Sequence, residues 1–260
     1  MNSSPTCRKR RRPAVPESSA PLPQPFSRTE LLLGADAMKV LERARVAVFG
    51  IGGVGGFAAE ALARSGIGQL DLIDSDTVSL TNVNRQIVAA HSTLGRYKVD
   101  VMKARILDVN PAARVRTSTC FYLPETKGQF HFEDYDYVVD AVDTVAAKIQ
   151  LILQAKESGT KIICCMGAGN KLDPTKFHVS DISETSVCPL ARIMRQECRK
   201  RGITNVKAVY STEPPRSAAA SDEPPADAGR RSVPGSVAFV PPVAGLIIAG
   251  EVVKDLTGIR

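Results

Sequence analysis

The sequence predicts an α/β fold with a doubly wound, mainly parallel sheet and flanking helices. Three observations predict it. A short apolar strand runs into a glycine-rich turn (VAVFGIGGVGG, residues 46–56), and further apolar strands alternate with segments of helical spacing. An acidic residue, Asp74, closes the second strand about twenty residues beyond the turn, as in Rossmann-like nucleotide sites.

The elements follow in order. Residues 45–49 are a buried strand, residues 57–65 an apolar-faced helix, and residues 69–74 (QLDLID) the next strand. Helical spacing returns over 97–110, with Met102, Ile106 and Val109 near one face and Pro111 as the stop. Residues 115–122 and 135–142 are strands, the second ending in a carboxylate pair, Asp140 and Asp143. Residues 144–158 form a helix stopped by Gly159, and 161–166 form another buried strand. Residues 213–234 collapse to Pro, Ala, Ser, Asp and Arg and are expected to form a flexible loop. Order resumes with a helix begun by Pro241 and Pro242 and running to about residue 256. Glu251 and Lys254 interrupt that helix and it is short, so stable membrane insertion is not expected.

A chain of 260 residues buries roughly 70–75% of its unfolded surface and requires no disulfide or metal staple. Its six cysteines show no C-x-x-C spacing, which fits a reducing compartment, the cytoplasm or an organelle. The net charge is +7, and residues 1–25 contribute +4 of it through Arg8, Lys9, Arg10, Arg11 and Arg12 against Glu17. That Pro- and Ser-rich segment is expected to be a disordered basic tail, and residues 26–260 the folded domain. It lacks the apolar stretch of a secretory signal; a transit peptide and a nucleic-acid arm stay open.

The chemistry is carried by a constellation. Gly50, Gly52, Gly53 and Gly55 follow a strand and open a helix, so backbone N–H groups can cradle a phosphate. Asp74 can accept from ribose hydroxyls. Asn82, Asn84 and Arg85 occupy the loop after the second strand, and Lys98 begins the next helix. Taken singly, Arg85 reads as a surface ion pair and Lys98 as a solvated helix residue. Together with a carboxylate at a strand's carboxyl edge they suit a triphosphate handled with Mg2+ better than a dinucleotide. Asp143 is the metal-ligand candidate, because hard oxygen donors suit that ion, and Asp140 is read as a cap for the following helix.

GIGGVGG, the Asp74/Asp76 pair, TNVNRQ, Lys98 and DAVDT resemble the adenylation domain of the ubiquitin-activating-enzyme-like superfamily, which includes ThiF, MoeB and HesA. The resemblance implies that Gly53, Asp74, Asn82, Arg85, Lys98 and Asp143 contact ATP or its magnesium. FSR at residues 26–28 resembles the superfamily's N-terminal Y-S-R element and carries Arg28 over as an arginine reaching a partner's ATP across a homodimer. RTELLLG, RSGIGQLDLID, MGAGNKLDPT and TSVCPLARIMR are most similar to the tRNA threonylcarbamoyladenosine dehydratases, the TcdA/CsdL branch, over residues 26–212 and 233–257. That likeness implies ATP-dependent adenylation of the threonine carboxylate of threonylcarbamoyladenosine in tRNA, followed by cyclisation, with Arg28, Arg85 and Lys98 as catalytic residues. It also implies a homodimer, leaves a sulfur-relay protein open as a partner, and allows a monovalent cation with no ligand assigned.

The alternative of another class is activation of a ubiquitin-like or sulfur-carrier protein C-terminus. That would favour a zinc-binding C-x-x-C pair and a thioester cysteine, for which Cys188 before Pro189 is the candidate. A NAD(P)-dependent oxidoreductase leaves the Arg–Lys–Asp set unexplained, as does a non-catalytic nucleotide-binding scaffold. Arg192, Arg195 and Arg199 share one helix face, which can follow tRNA phosphates or stand solvated.

Overall fold

Alternation within five-residue strands decides both faces of the sheet. In β1 (Arg45–Phe49), Val46 and Val48 point to one side and Ala47 and Phe49 to the other, and all four are buried. The computed structural model describes residues 24–217 and 234–259. The sheet has seven strands in the order β3-β2-β1-β4-β5-β7-β6, with β2 (Gln69–Ile73), β3 (Arg114–Ser118), β4 (Tyr137–Asp140), β5 (Lys161–Cys165), β6 (Phe177–Asp181) and β7 (Lys207–Ser211). All pairings are parallel except β6 with β7.

Val46, Val48, Leu70, Leu72, Val139 and Ile163 face α2 (Ala35–Arg43), α3 (Gly55–Arg64), α4 (Lys98–Val109) and α7 (Pro241–Thr257). Leu41, Leu62, Met102, Ile106, Ile248 and Val252 fill that layer, each worth on the order of 1.5–3 kcal/mol of burial. Ala47, Phe49, Val138, Ile162 and Cys164 face α5 (Val145–Ser158) and α6 (Pro189–Lys200). An aromatic cluster closes this second layer. Phe49 meets Tyr122 edge-on at 5.0 Å and Phe130 at 5.4 Å.

The predicted elements and the observed ones agree in type and differ at their ends. The strand expected over 115–122 stops at Ser118, because Thr126 Oγ1 bonds the Phe121 and Leu123 backbone and turns the chain toward the aromatic cluster. The strand expected over 135–142 ends at Asp140, where its carboxylate accepts from the Val142 N–H. Gly159 stops α5 in the left-handed conformation, φ 72°. Four elements lie outside the expected set: α1 (Ser27–Leu33), α2, β6 and β7. The expected loop 213–234 is anchored where it starts: Glu213 accepts from the Leu172 and Asp173 N–H groups, and the Arg216 N–H donates to Asn170 O. Residues 218–233, and 1–23 of the expected tail, lie outside the described residues. Among the described residues no helix is long and apolar enough to cross a membrane.

Candidate active site

The register brings three strand ends level. Phe49 pairs with both Ile73 and Asp140, so the residues that follow them, Gly50, Asp74 and Ala141, emerge side by side at the carboxyl edge. This is where the strand order reverses direction around β1, the place where open α/β sheets bind ligands. A cavity of about 610 Å³ opens there.

The glycine turn forms its floor, and its glycines divide the work. Gly50 has φ 89°, and a Cβ there would lie 2.7 Å from the Ala141 carbonyl oxygen. Gly55 has no role in the lining: a Cβ would stand 1.8 Å from Gly50 O, so this glycine lets α3 start against the strand end. Gly52 and Gly53 line the cavity, where backbone can approach a ligand closely. Asp74 locks the turn. One carboxylate oxygen accepts from the Ile51 N–H at 2.6 Å and the other from the Asp76 N–H at 2.8 Å. Burial raises its pKa above the ordinary aspartate value, with Lys98 opposing.

Lys98 is no solvated helix residue. It is buried at the start of α4, and its Nζ donates to Asp76 at 2.6 Å. Half-buried Arg85 donates from Nη1 to Thr81 O and to Asn84 Oδ1, both at 2.9 Å. Asn82 accepts from the Ser79 N–H and lines the cavity. Asn84 stands outside the lining; its amide donates to Ser236 O and so steadies Arg85 from behind.

Asp143 lines the cavity and is exposed; Asp140 is not the helix cap expected from sequence. It is fully buried and holds Lys148, also fully buried, at 2.9 and 3.0 Å. Lys148 also donates to Cys165 O at 2.6 Å, which ties the ends of β4 and β5 to α5. Burial pushes the Asp140 carboxyl above its ordinary value. Burial also pulls Lys148 down, but Asp140, Cys164 and Cys165 outweigh it and leave that lysine above its ordinary value. The N-cap of α5 is Thr144, which makes no side-chain cap bond.

The far wall comes from β5 and α6. Met166, Gly167, Asn170, Lys171, Cys188 and Leu190 line it. Burial pushes the Cys165 thiol up to about 12. Cys188 is buried at the N-cap of α6, and the five described cysteines form no metal-binding group. Arg28 stands exposed on α1, outside the lining of this chain's cavity. The expected arginine face of α6 is broken, because Arg195 turns inward and donates to Thr185 O at 2.6 Å and Thr185 Oγ1 at 2.7 Å.

Sequence reasoning passed over Gln86, Ser236 and Lys171. Gln86 Oε1 and Ser236 Oγ are buried in the cavity lining and find no partner among the described residues. Two such groups in a glycine-floored cavity with Lys98 and Arg85 suit a polar, phosphorylated ligand of nucleotide size. Gln86 belongs to the NVNRQ run and Lys171 to MGAGNKLDPT, so both were visible there without a role; Ser236 carried no local signal. No group of three or more His, Cys, Asp or Glu among the described residues could cage a metal. Asp143 offers the cavity a hard carboxylate oxygen, the donor type that magnesium combines with waters and substrate phosphates.

Fold and cavity together define a Rossmann-like α/β protein whose glycine-floored cavity is lined by two cations, Arg85 and Lys98, and the Asp143 carboxylate. The chain belongs to the ThiF family, whose model matches residues 26–260. It is 47% identical over 239 residues to the tRNA threonylcarbamoyladenosine dehydratase of Bacillus subtilis, covering 89% of this chain and 94% of that protein. Its structure is similar to that of the Escherichia coli tRNA N6-threonylcarbamoyladenosine dehydratase, TcdA, in complex with ATP, with a TM-score of 0.80, 34% identity, and coverage of 90% of this chain and 93% of that one. The complex of that enzyme with AMP matches equally, at a TM-score of 0.80 and 34% identity, covering 90% and 94%.

Proposed function

We propose that the chain uses ATP to dehydrate threonylcarbamoyladenosine in tRNA, by adenylating its threonine carboxylate and letting the activated acyl group cyclise. The observation that carries this reading is the continuity of one cavity from Asp74, across Gly52 and Gly53, past Asp143, to the wall at Lys171. It can hold a nucleotide and an acyl substrate together. Relatives whose names state this activity and whose structures hold ATP or AMP support it.

In this reading a carboxylate oxygen attacks the α-phosphorus and pyrophosphate leaves. An intramolecular nucleophile of the modified base then attacks the acyl carbon, and AMP departs with one carboxylate oxygen, a net loss of one water. A carboxylate is ionised near neutrality, so the first step requires no strong base. The barrier is the approach of like charges, and Arg85 and Lys98 stabilise it electrostatically. Asp143 would hold magnesium, which would supply Lewis-acid neutralisation of phosphate charge. Gly52 and Gly53 position the phosphates by backbone N–H groups, and Asp74, whose oxygens retain lone pairs, receives the ribose. Cyclisation within one nucleotide gains its rate from positioning, with no protein nucleophile.

The active unit in this reading is a homodimer in the cytoplasm or an organelle. α1 has no buried residue, and Leu31 and Leu32 are 88% and 83% exposed beside Arg28. A second copy covers that apolar face and receives Arg28 at its ATP. A sulfur-relay protein remains a candidate partner. Mass spectrometry of tRNA nucleosides after incubation with ATP and magnesium tests the proposal: the nucleoside should lose the mass of one water, and an unchanged nucleoside rejects it.

A further inference from the structure

The far wall of the cavity holds a lysine that neither the nucleotide nor the fold explains. Lys171 is 4% exposed, yet among the described residues its ammonium meets one acceptor, the backbone oxygen of Glu213. The Glu213 carboxylate attracts Lys171 but closes no ion pair with it: both of its oxygens accept from the Leu172 and Asp173 N–H groups. Among the described residues no carboxylate lies within ion-pair distance of Lys171, whereas Lys98 has Asp76 and Lys148 has Asp140. An ammonium has three donors, and burying it with one neutral partner is costly unless an anion joins it.

A second feature of the same wall also favours an anion. α6 begins at Pro189, and Pro189 and Leu190 line the cavity, so the positive end of a 12-residue helix faces the same region as Lys171. The loop carrying Lys171 is held in place: Asn170, at φ 59°, accepts from the Gly235 N–H at 2.6 Å and receives the Arg216 N–H on its carbonyl at 2.8 Å.

Sheet order tells which anion this is. Asp74 follows β2, the glycine turn follows β1, Asp143 precedes α5 after β4, and Lys171 follows β5. The end of β5, from which the loop to Lys171 departs, stands two strands from the glycine turn, ~10 Å at the usual strand spacing, on the side away from the ribose end. We infer that Lys171, with the N-terminus of α6, is a substrate-binding residue that grips the reacting carboxylate of the acyl substrate and selects a free carboxylate over a neutral end. This rests on the reading proposed above.

The test is a binding cycle with the full chain, magnesium and α,β-methylene-ATP. Its ligands are tRNA bearing threonylcarbamoyladenosine, the same tRNA with a carboxamide in place of the threonine carboxylate, and the same tRNA without the modification. The wild type should prefer the carboxylate by about 10- to 150-fold, the worth of a hydrogen bond to a charged group. Lys171→Met and Lys171→Gln should lose that preference with unchanged α,β-methylene-ATP affinity, and Lys171→Arg should retain part of it. A methionine variant that keeps the full preference overturns the inference. So does one that loses nucleotide affinity and keeps the preference, since Lys171 would then serve the phosphates. If the wild type does not distinguish modified from unmodified tRNA, the proposed function itself fails. Melting temperatures of all three variants near the wild-type value establish that they are folded.

Discussion

Replacing Lys148 by methionine strands the Asp140 carboxylate with no counter-ion in a fully buried position. The wild-type pair is closed by bonds of 2.9 and 3.0 Å, and Lys148 also serves Cys165 O. Breaking such a pair by removing one partner costs about 3–5 kcal/mol. At roughly 2–4 °C per kcal/mol for a chain of this size, the melting temperature should fall by roughly 6–20 °C. The loss has a pH signature. Burial already raises Asp140 above its ordinary value, and without Lys148 nothing comparable opposes it. A carboxyl whose folded pKa is raised binds its proton more tightly in the folded than in the unfolded chain. The variant is therefore least impaired at acid pH, and above the wild-type Asp140 pKa the deficit grows by about 1.4 kcal/mol per pH unit until the variant's own higher folded pKa is passed. Urea titrations of wild type and variant from pH 5 to 8 read this directly. Asp140→Asn combined with Lys148→Met should recover much of the stability, since no buried charge remains. A single variant within 1 kcal/mol of wild type at pH 8, or a double variant as unstable as the single one, would refute the reasoning.

Arg85→Ala or Asp143→Ala should abolish ATP–pyrophosphate exchange and leave the melting temperature close to wild type; normal exchange would remove both residues from the site. Cys188→Ser should retain turnover, and loss of activity in a folded protein would revive a thioester route. Gly55→Ala drives a methyl group toward the Gly50 carbonyl, so it should destabilise the chain by about 1–3 kcal/mol and weaken ATP binding, read by calorimetry.

Much of the fold was legible because its signals are local. Apolar runs, the Gly159 stop and the Pro189 and Pro241 starts are properties of a few adjacent residues. β6 was not, since the alternation in FHVSD is only Phe177 and Val179, of which Phe177 alone is buried, and the segment is a strand through its pairing with β7. The glycine turn, Arg85, Lys98 and Asp143 were legible as types in a pattern, and the structure brings them to one cavity. Their division of labour was not. Gly55 is set by its distance from Gly50 O, Asn84 by a bond to Ser236 far along the chain, and Asp140 by a partner eight residues away that burial forces on it. Arg195 lies at the right spacing for a phosphate-facing stripe, yet Thr185 claims it. Partners and burial are tertiary properties, and spacing alone does not contain them.

The strand order also bears on how such a protein diverges. Asp74, the glycine turn, Asp143 and Lys171 follow four different strands whose mutual positions are set by backbone ladders rather than by one another. If Lys171 grips the acid as inferred above, a substitution at the β5 end can change the acid that is accepted while the β2 and β1 ends keep the same nucleotide. Descent with altered substrate choice then proceeds one strand end at a time, and each intermediate retains its energy source.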